Sequence, residues 1–355
     1  MTLHIFNPEH DIALASGLAN FTAPHAGRQL RHDLGFLPAL WAEDGDVVLV
    51  DDVNVAERAW QKCRHHLHGA KTPVFAESIH QYGGKVDGVD PWGWDAALRR
   101  RLHRNGLGER LLPDSEHLNG IRRLSHRHTA AQLLPLLRMD GTVGEAFECD
   151  TVEAARQLVQ SQEMAVMKAP WSSSGRGLRF VNGSMTEQTD AWLRHLLERQ
   201  GTVMVEPYYN KVKDFGMEFT AQTDGTVSYE GLSLFHTKNG AYTGNILATE
   251  NTKRQMLSRY LPLPLLDKVR NGICQQLPGI FEGRYVGPFG VDMMVTATKD
   301  SSCLLHPCVE INLRRTMGHV ALTLARLVNP SADDDIVRVM RIEFNNYYKL
   351  TVQQL

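Results

Sequence analysis

Val291-Asp-Met-Met-Val295 and Val309-Glu-Ile-Asn312, near the C-terminal end of a 355-residue chain, decide how the rest is read. Each is an apolar run, and the strand period of two puts Glu310 and Asn312 on one face with Val309 and Ile311 on the other. A carboxylate and an amide oxygen therefore converge. If the two runs pair as antiparallel neighbours, Asp292 reaches the same point, giving three hard oxygen ligands suited to a magnesium ion that bridges nucleotide phosphates. A polar, solvated sheet face is the plainer reading of either strand alone. It does not account for acids set inside apolar runs.

Working upstream, Met164-Ala-Val-Met-Lys168 reads as a strand, followed by the polar loop Trp171-Ser-Ser-Ser-Gly-Arg-Gly177 and a second strand, Leu178 to Val181. Backbone amides in such a turn face an anion, glycine lets the main chain approach phosphate oxygens, and Lys168 adds a point charge. The same turn chemistry also makes plain mobile hairpins. It is not a Walker A loop, because G-x-x-x-x-G-K-[ST] is absent. Thr202-Val-Met-Val-Glu-Pro-Tyr-Tyr209 is an apolar strand that stops at Glu-Pro. It reads either as a strand end or as a hinge whose backbone pairs with an adenine edge, with Asp214 holding ribose hydroxyls.

Composition sets the outer limits. Hydrophobic residues make up 43% and charged residues 22%, and 38 Lys+Arg against 40 Asp+Glu leave a net charge of -2. That is a folded protein of two or three domains with no global pull toward nucleic acid or anionic lipid. Five cysteines without paired spacing argue against a disulfide framework or zinc ribbon and for a reducing compartment. No basic and apolar leader and no apolar run of about 18 residues is seen, so the expectation is a cytoplasmic protein off the membrane.

The first third mixes short apolar runs (Leu3 to Phe6, Asp46 to Val50, Pro73 to Phe75) with amphipathic stretches, as in a small α/β layer. The polar stretch Asp114 to Arg122 reads as a boundary. Beyond it the pattern predicts helices from Ser125 to about Leu134, from near Asp150, and from a Ser184-x-x-Glu187 capping box through Arg199. Strands follow at Thr202 to Glu206, Phe215 to Ala221 and Thr226 to Leu234. A helix around Leu265 to Gln276, strands at Tyr285 to Val295 and Cys303 to Ile311, and a helical tail complete the reading.

In order and spacing, Ser125-His-Arg127, Met167-Lys168, Ser172-Ser-Ser-Gly-Arg-Gly177, Val205-Glu-Pro-Tyr208, Asp214, Gly290-Val-Asp292 and Glu310-Ile-Asn312-Leu-Arg-Arg315 resemble the ATP-grasp superfamily from about Ser125 to Leu327. The resemblance implies an α/β protein of α+β lobes, with an N-terminal Rossmann-like α/β domain over 1–120, a small lobe with the phosphate flap over 121–210, and a large lobe with the metal site and helical tail over 211–355. It implies that ATP is held by Arg127, Lys168, Ser173, Ser174, Gly175, Arg176, Gly177, the hinge Glu206-Pro207-Tyr208 and Asp214. Asp292, Glu310 and Asn312 then look like the magnesium ligands, and Arg314 or Arg315 like the arginine that steadies the transferred phosphate. Ser125-His-Arg127 stands where the family commonly has Ser-Asp-Lys, so a planar guanidinium replaces an ammonium.

The implied activity is an ATP- and magnesium-dependent ligase joining a carboxylate to an amine or similar nucleophile through an acyl phosphate. Its partners are small molecules, not nucleic acid or membrane, with a homodimer left open. A small-molecule kinase on the same scaffold and a degenerate nucleotide-binding protein are the alternatives.

Two further segments are read as substrate contacts. Asn7-Pro-Glu-His-Asp11 follows the first strand, where open α/β layers place ligand loops, and offers Asn7, His10 and Asp11; a turn with a helix cap is an equal reading. Leu234 to Asn245 offers Lys238, Tyr242 and Asn245 as a closing loop or as a surface hairpin. Cys63-Arg-His-His-Leu-His68 and the run Arg99-Arg-Arg101 with His103-Arg104 read as solvated helix surfaces rather than a metal site or a nucleic-acid patch.

Overall fold

The computed structural model describes residues 1–82, 84–172, 177–238, 241–328 and 336–355. The N-terminal layer consists of β1 (Thr2–Ile5), α1 (His10–Ser16), α2 (His25–Leu34), β2 (Val47–Leu49), α3 (Val53–Arg64), β3 (Val74–Ala76), β4 (Gly88–Pro91) and α4 (Ala96–Arg104). Its strands are mutually parallel in the order β3-β2-β1-β4. Chain order reverses between β1 and β4, so the crevice outside their C-terminal ends is the natural ligand position of such a sheet. α5 (Ser115–Leu124) and α6 (His128–Leu133) lead out of the layer. The polar stretch read as a boundary is the start of α5, whose first turn is capped by the Asp114 carboxylate accepting from the His117 backbone N–H at 2.7 Å.

The next lobe contains β5 (Phe147–Cys149), α7 (Val152–Gln160), β6 (Met164–Lys168), β7 (Leu178–Asn182), α8 (Glu187–Gln200) and β8 (Val203–Pro207). Its sheet is antiparallel, ordered β5-β8-β6-β7, and closes a core of its own around Ala155, Met167, Leu193 and Val203. The cap of α8 is Thr186, which accepts from the Thr189 backbone, and not Ser184; the box pattern points two residues too early.

The large lobe follows, with β9 (Asn210–Ala221), β10 (Val227–Ser233), β11 (Phe235–Lys238), β12 (Ala241–Leu247), α9 (Glu250–Leu257), α10 (Leu263–Phe281), β13 (Gly287–Ala297), β14 (Cys303–Asn312), α11 (Met317–Val328), β15 (Arg338–Asn345) and β16 (Tyr347–Gln354). Antiparallel β10-β9-β13-β14 packs on α10 around Phe215, Phe219 and Phe289, and α6 contributes Leu133 to that core. A second sheet, β11-β12-β15-β16, covers one side of the N-terminal layer, where Leu247, Val320 and Met340 pack with Phe6, Leu34 and Val48.

The expected helical tail is therefore corrected: after α11 the chain ends in a β hairpin. Along β15, Val339 and Met340 are buried while the rest is half-buried or exposed, and β16 alternates apolar with polar residues from Tyr348 to Val352. That is a strand period, and Asn346 at φ 64 supplies the left-handed turn between the strands. No helix among the described residues is long and apolar enough to cross a membrane.

Candidate active site

The register across three strands assembles the centre. Gly216 of β9, Asp292 of β13 and Glu310 of β14 lie in one row, and Glu218, Gly290 and Asn312 in the next. Alternation puts both rows on the same face, so Asp292, Glu310 and Asn312 are neighbours, as the two opening stretches predict. The Asn312 amide donates to Asp292 Oδ2 at 3.1 Å and its oxygen accepts from Arg314 at 3.0 Å. Turning the amide oxygen toward the acids gives up both of these bonds, because the Arg314 guanidinium accepts nothing, so a cation between the acids and that oxygen has to replace them.

Glu218 is a member that the sequence reading missed. It is buried, accepts from the Thr316 hydroxyl at 2.8 Å, and lies 3.0 Å from His319 Nδ1. Two glycines make room for it: a Cβ on Gly290 would fall 2.7 Å from its Oε2, and one on Gly318 would fall 1.8 Å from its Oε1. The only signal in the sequence is Glu218 inside an apolar strand together with these two glycines, each placed beside functional candidates.

The charge of this cluster is unbalanced. Burial, reinforced by the negative charges of Glu310 and Glu218, pushes the Asp292 carboxyl up to about 7. Excess negative charge of this kind is what a divalent cation neutralises, and two carboxylates with an amide oxygen are a hard-cation donor set. Among the described residues no three His, Cys, Asp or Glu side chains are arranged as a ready metal cage. The donors present thus fit an ion that draws its remaining ligands from phosphate and water.

Cations approach from the start of α6 and from β6. Arg127 donates from Nε to the Ala169 carbonyl at 3.1 Å and from one terminal nitrogen to Ser172 Oγ at 3.3 Å, and that same nitrogen lies 2.9 Å from Glu310 Oε1. It thereby ties the loop after β6 to the acid on β14. Lys168 and Glu206, both buried, form an ion pair of 2.5 Å across neighbouring strands β6 and β8. Gly177 is needed where it stands, since a Cβ there would be 2.5 Å from Ser172 Cβ. Ser173, Ser174, Gly175 and Arg176 lie outside the described residues.

Along the hinge, Pro207 ends β8, and Tyr208 is exposed with its ring edge-on to Phe180 at 6.1 Å. Asp214 sits one row beyond Asp292, 2.6 Å from Lys211 Nζ and accepting from Thr237 at 3.4 Å. In the same row, across Met294, His306 is buried with an Nδ1 that has no partner among the described residues, and burial together with the Lys168 charge lowers its pKa to about 3.

The adjacent arginines diverge. Arg314 grips Asp11 of α1 through two hydrogen bonds of 2.8 and 2.7 Å while also reaching Asn312. Arg315 points away from the acids, donating to Asp90 at 2.9 Å and lying over the Trp41 ring at 4.5 Å.

The proposed substrate residues divide in the same way. Asp11 faces the cluster through Arg314, but Asn7 and His10 are buried in the turn after β4. There Asn7 donates to the Gly93 carbonyl at 2.8 Å, and His10 lies 3.3 Å from Asp95. Tyr242 and Asn245 are likewise held inside their hairpin, with Tyr242 donating to Asn245 at 2.6 Å and Asn245, fully buried, donating to Ser233 at 2.8 Å. They brace β12 rather than line a cleft. Lys238 is the last residue of β11; its side chain lies outside the described residues.

No family model and no curated protein matches the sequence. Solved structures do. N5-carboxyaminoimidazole synthetase from Staphylococcus aureus, complexed with ADP, is 14% identical over 97% of this chain and 82% of its own, with a TM-score of 0.51. A second structure of the same enzyme is 12% identical over 100% of this chain and 92% of its own, also at 0.51. Biotin carboxylase from Campylobacter jejuni, in a β-γ-ATP complex, is 14% identical over 96% and 75%, again at 0.51. At such identities the likeness is one of fold.

Proposed function

Since the chain has the ATP-grasp fold, we propose that it is an ATP- and magnesium-dependent ligase that joins a carboxylate to an amine or similar nucleophile. The observation that carries this reading is the pairing of Asp292 with Glu310, with Asn312 on the same face and Arg127, at the start of α6, paired with Glu310 and with the loop after β6. Asp292, Glu310 and Asn312 would hold magnesium, which neutralises charge on the nucleotide's phosphates when bound. A structurally similar ligase is described as complexed with ADP and another with β-γ-ATP, and the nucleotide of this chain belongs between the Lys168–Glu206 pair and the acid cluster.

In this reading the substrate carboxylate attacks the γ-phosphorus of ATP and ADP leaves. The amine then attacks the acyl carbon, the C–O bond to the phosphoryl group breaks, inorganic phosphate leaves with that oxygen, and the nitrogen gives up a proton to solvent. Such phosphoryl transfer asks for positioning and charge neutralisation rather than a protein nucleophile. Lys168 and Arg127 offer positive charge on the phosphate side, and Arg314, anchored by Asp11, offers it on the acceptor side. Burial and Arg314 both act on Asp11: burial raises its pKa, the guanidinium lowers it, and the net effect is downward, so Asp11 stays ionised and keeps the arginine in place.

The test is ADP release by purified protein over a panel of acids and amines. Release requires both substrates in a ligase; stable transfer of phosphate to one acceptor, with no free phosphate, would make it a kinase instead. Lys168→Ala and Glu310→Ala are expected to reduce magnesium-dependent turnover by about 100-fold or more while circular dichroism stays unchanged. Wild-type turnover in either variant rules out the assigned centre.

A further inference from the structure

An open cavity of about 450 Å³ lies beside the Asn7–Glu9 turn, lined by α2, α4 and the loop between α1 and α2. Arg28 and Arg31 border it from α2 at a spacing of three, and Arg100, Arg101 and Arg104 from α4, where Arg104 is three and four residues from the other two; Arg28, Arg100 and Arg104 lie exposed at its mouth. Only Arg31 is neutralised, by Glu9 and Asp51. The other acid of the wall, Asp95, is spent on capping α4 and on Asn7 and His10.

Arg28, Arg100, Arg101 and Arg104 make no close side-chain hydrogen bond or ion pair among the described residues, and Asp51, Glu9 and Asp95 act on Arg101 only at longer range. Arg101 is half-buried, and burial, then the positive charge of Arg31, lowers its pKa. Five guanidinium groups thus share the lining of one small cavity with two acids, Glu9 and Asp95, in a chain whose net charge is only -2. Arg99, the start of the same basic run, points elsewhere, with Nε donating to the Pro113 carbonyl at 2.7 Å and a terminal nitrogen to Glu109. The run read as a solvated helix surface is therefore two surfaces, and one of them is concave.

We propose that this cavity binds a phosphoryl group carried by one of the ligase's two small-molecule substrates. The proposal rests on the ligase reading. The volume suits a small ligand and not a duplex. Guanidinium forks match phosphate oxygens in pairs, and a dianion occupies several forks where a monocarboxylate satisfies one. The wall at Asn7 and Glu9 is four and two residues from Asp11, which holds Arg314. A ligand anchored by its phosphate here is thereby held beside the element that faces the acid cluster.

Calorimetric titration of inorganic phosphate into the full chain, saturated with magnesium and a non-hydrolysable ATP analogue, tests this. The wild type is expected to bind phosphate, and Arg101→Gln/Arg104→Gln to bind it about ten-fold or more weakly with unchanged affinity for the analogue. Arg99→Gln should leave phosphate binding intact. Arg100→Gln/Arg104→Gln, which alters exposed positions only, gives the same loss should the first pair fail to fold. Equal phosphate affinity in wild type and arginine variants, no binding by the wild type, or succinate binding as tightly as phosphate overturns the proposal. Failure of the analogue to bind counts instead against the ligase reading, because the arginine variants still report on phosphate.

Discussion

At the scale of single residues, what the sequence made legible was chemistry that alternation alone could place. Asp292, Glu310 and Asn312 share a face because a strand's period is two, and no tertiary knowledge was needed beyond their pairing. Glu218 was not legible, because its role depends on which strand lies beside β13 and on space left by glycines far away in sequence. His10, Tyr242 and Asn245 show the reverse case, side chains taken up by the fold, whereas Asn7 both donates to Gly93 and lines the arginine cavity. Their loops follow strands, where ligand contacts are expected, yet buried polar groups mostly find partners: Asn7 and His10 Nδ1 find them in the turn after β4, Tyr242 on Asn245, and Asn245 on Ser233 of β10.

His306 supplies the pH prediction at this scale. Its folded pKa of about 3 lies below the unfolded value near 6.5, so between these limits the unfolded chain binds a proton that the folded chain does not. Its contribution to stability is intact above about 6.5 and drains away as pH falls toward 3. His306→Phe keeps a ring beside Tyr209, now 5.4 Å away, and removes the titration. The melting temperature of the variant relative to wild type should therefore rise as pH is lowered from about 7.5 to about 5. A difference independent of pH would show that His306 does not titrate between the folded and unfolded states.

At the scale of elements, strands with clean periods fell close to their expected ends, as β6 and β14 show. Caps and tails did not, because a cap is settled by which hydroxyl meets an N–H, and the tail by a sheet already built from β11 and β12. The hairpin of β15 and β16 turns on Asn346, held at φ 64, where a branched side chain collides with its own backbone. Asn346→Val should destabilise the protein by about 1–2 kcal/mol, and Asn346→Gly by far less. Denaturant unfolding separates them; equal midpoints would mean that the turn adjusts without strain. Because Met340, Leu350 and Val352 of this hairpin pack with the N-terminal layer, the loss should be felt in the shared core and not only at the chain end.

At the scale of the whole molecule, the contacts between lobes could not be read from sequence, because they join residues as far apart as Asp11 and Arg314. These two consecutive arginines act as a clasp: Arg314 reaches α1 through Asp11, and Arg315 reaches β4 through Asp90, with Trp41 under its guanidinium and its backbone N–H donating to the Trp92 carbonyl at 2.8 Å. Both anchor points lie at the crevice between β1 and β4, so the clasp fixes the N-terminal layer relative to the acid cluster. Arg315→Ala removes one anchor without touching Asp292, Glu310 or Asn312. Amide hydrogen exchange in residues 86–95 should then accelerate while affinity for a magnesium–nucleotide analogue stays within about two-fold of wild type. Turnover should fall by about ten-fold or more, because a misplaced acceptor side costs positioning and not nucleotide binding. Unchanged exchange at 86–95 with lowered nucleotide affinity would put Arg315 in the nucleotide site and remove the clasp as the link between layer and lobe.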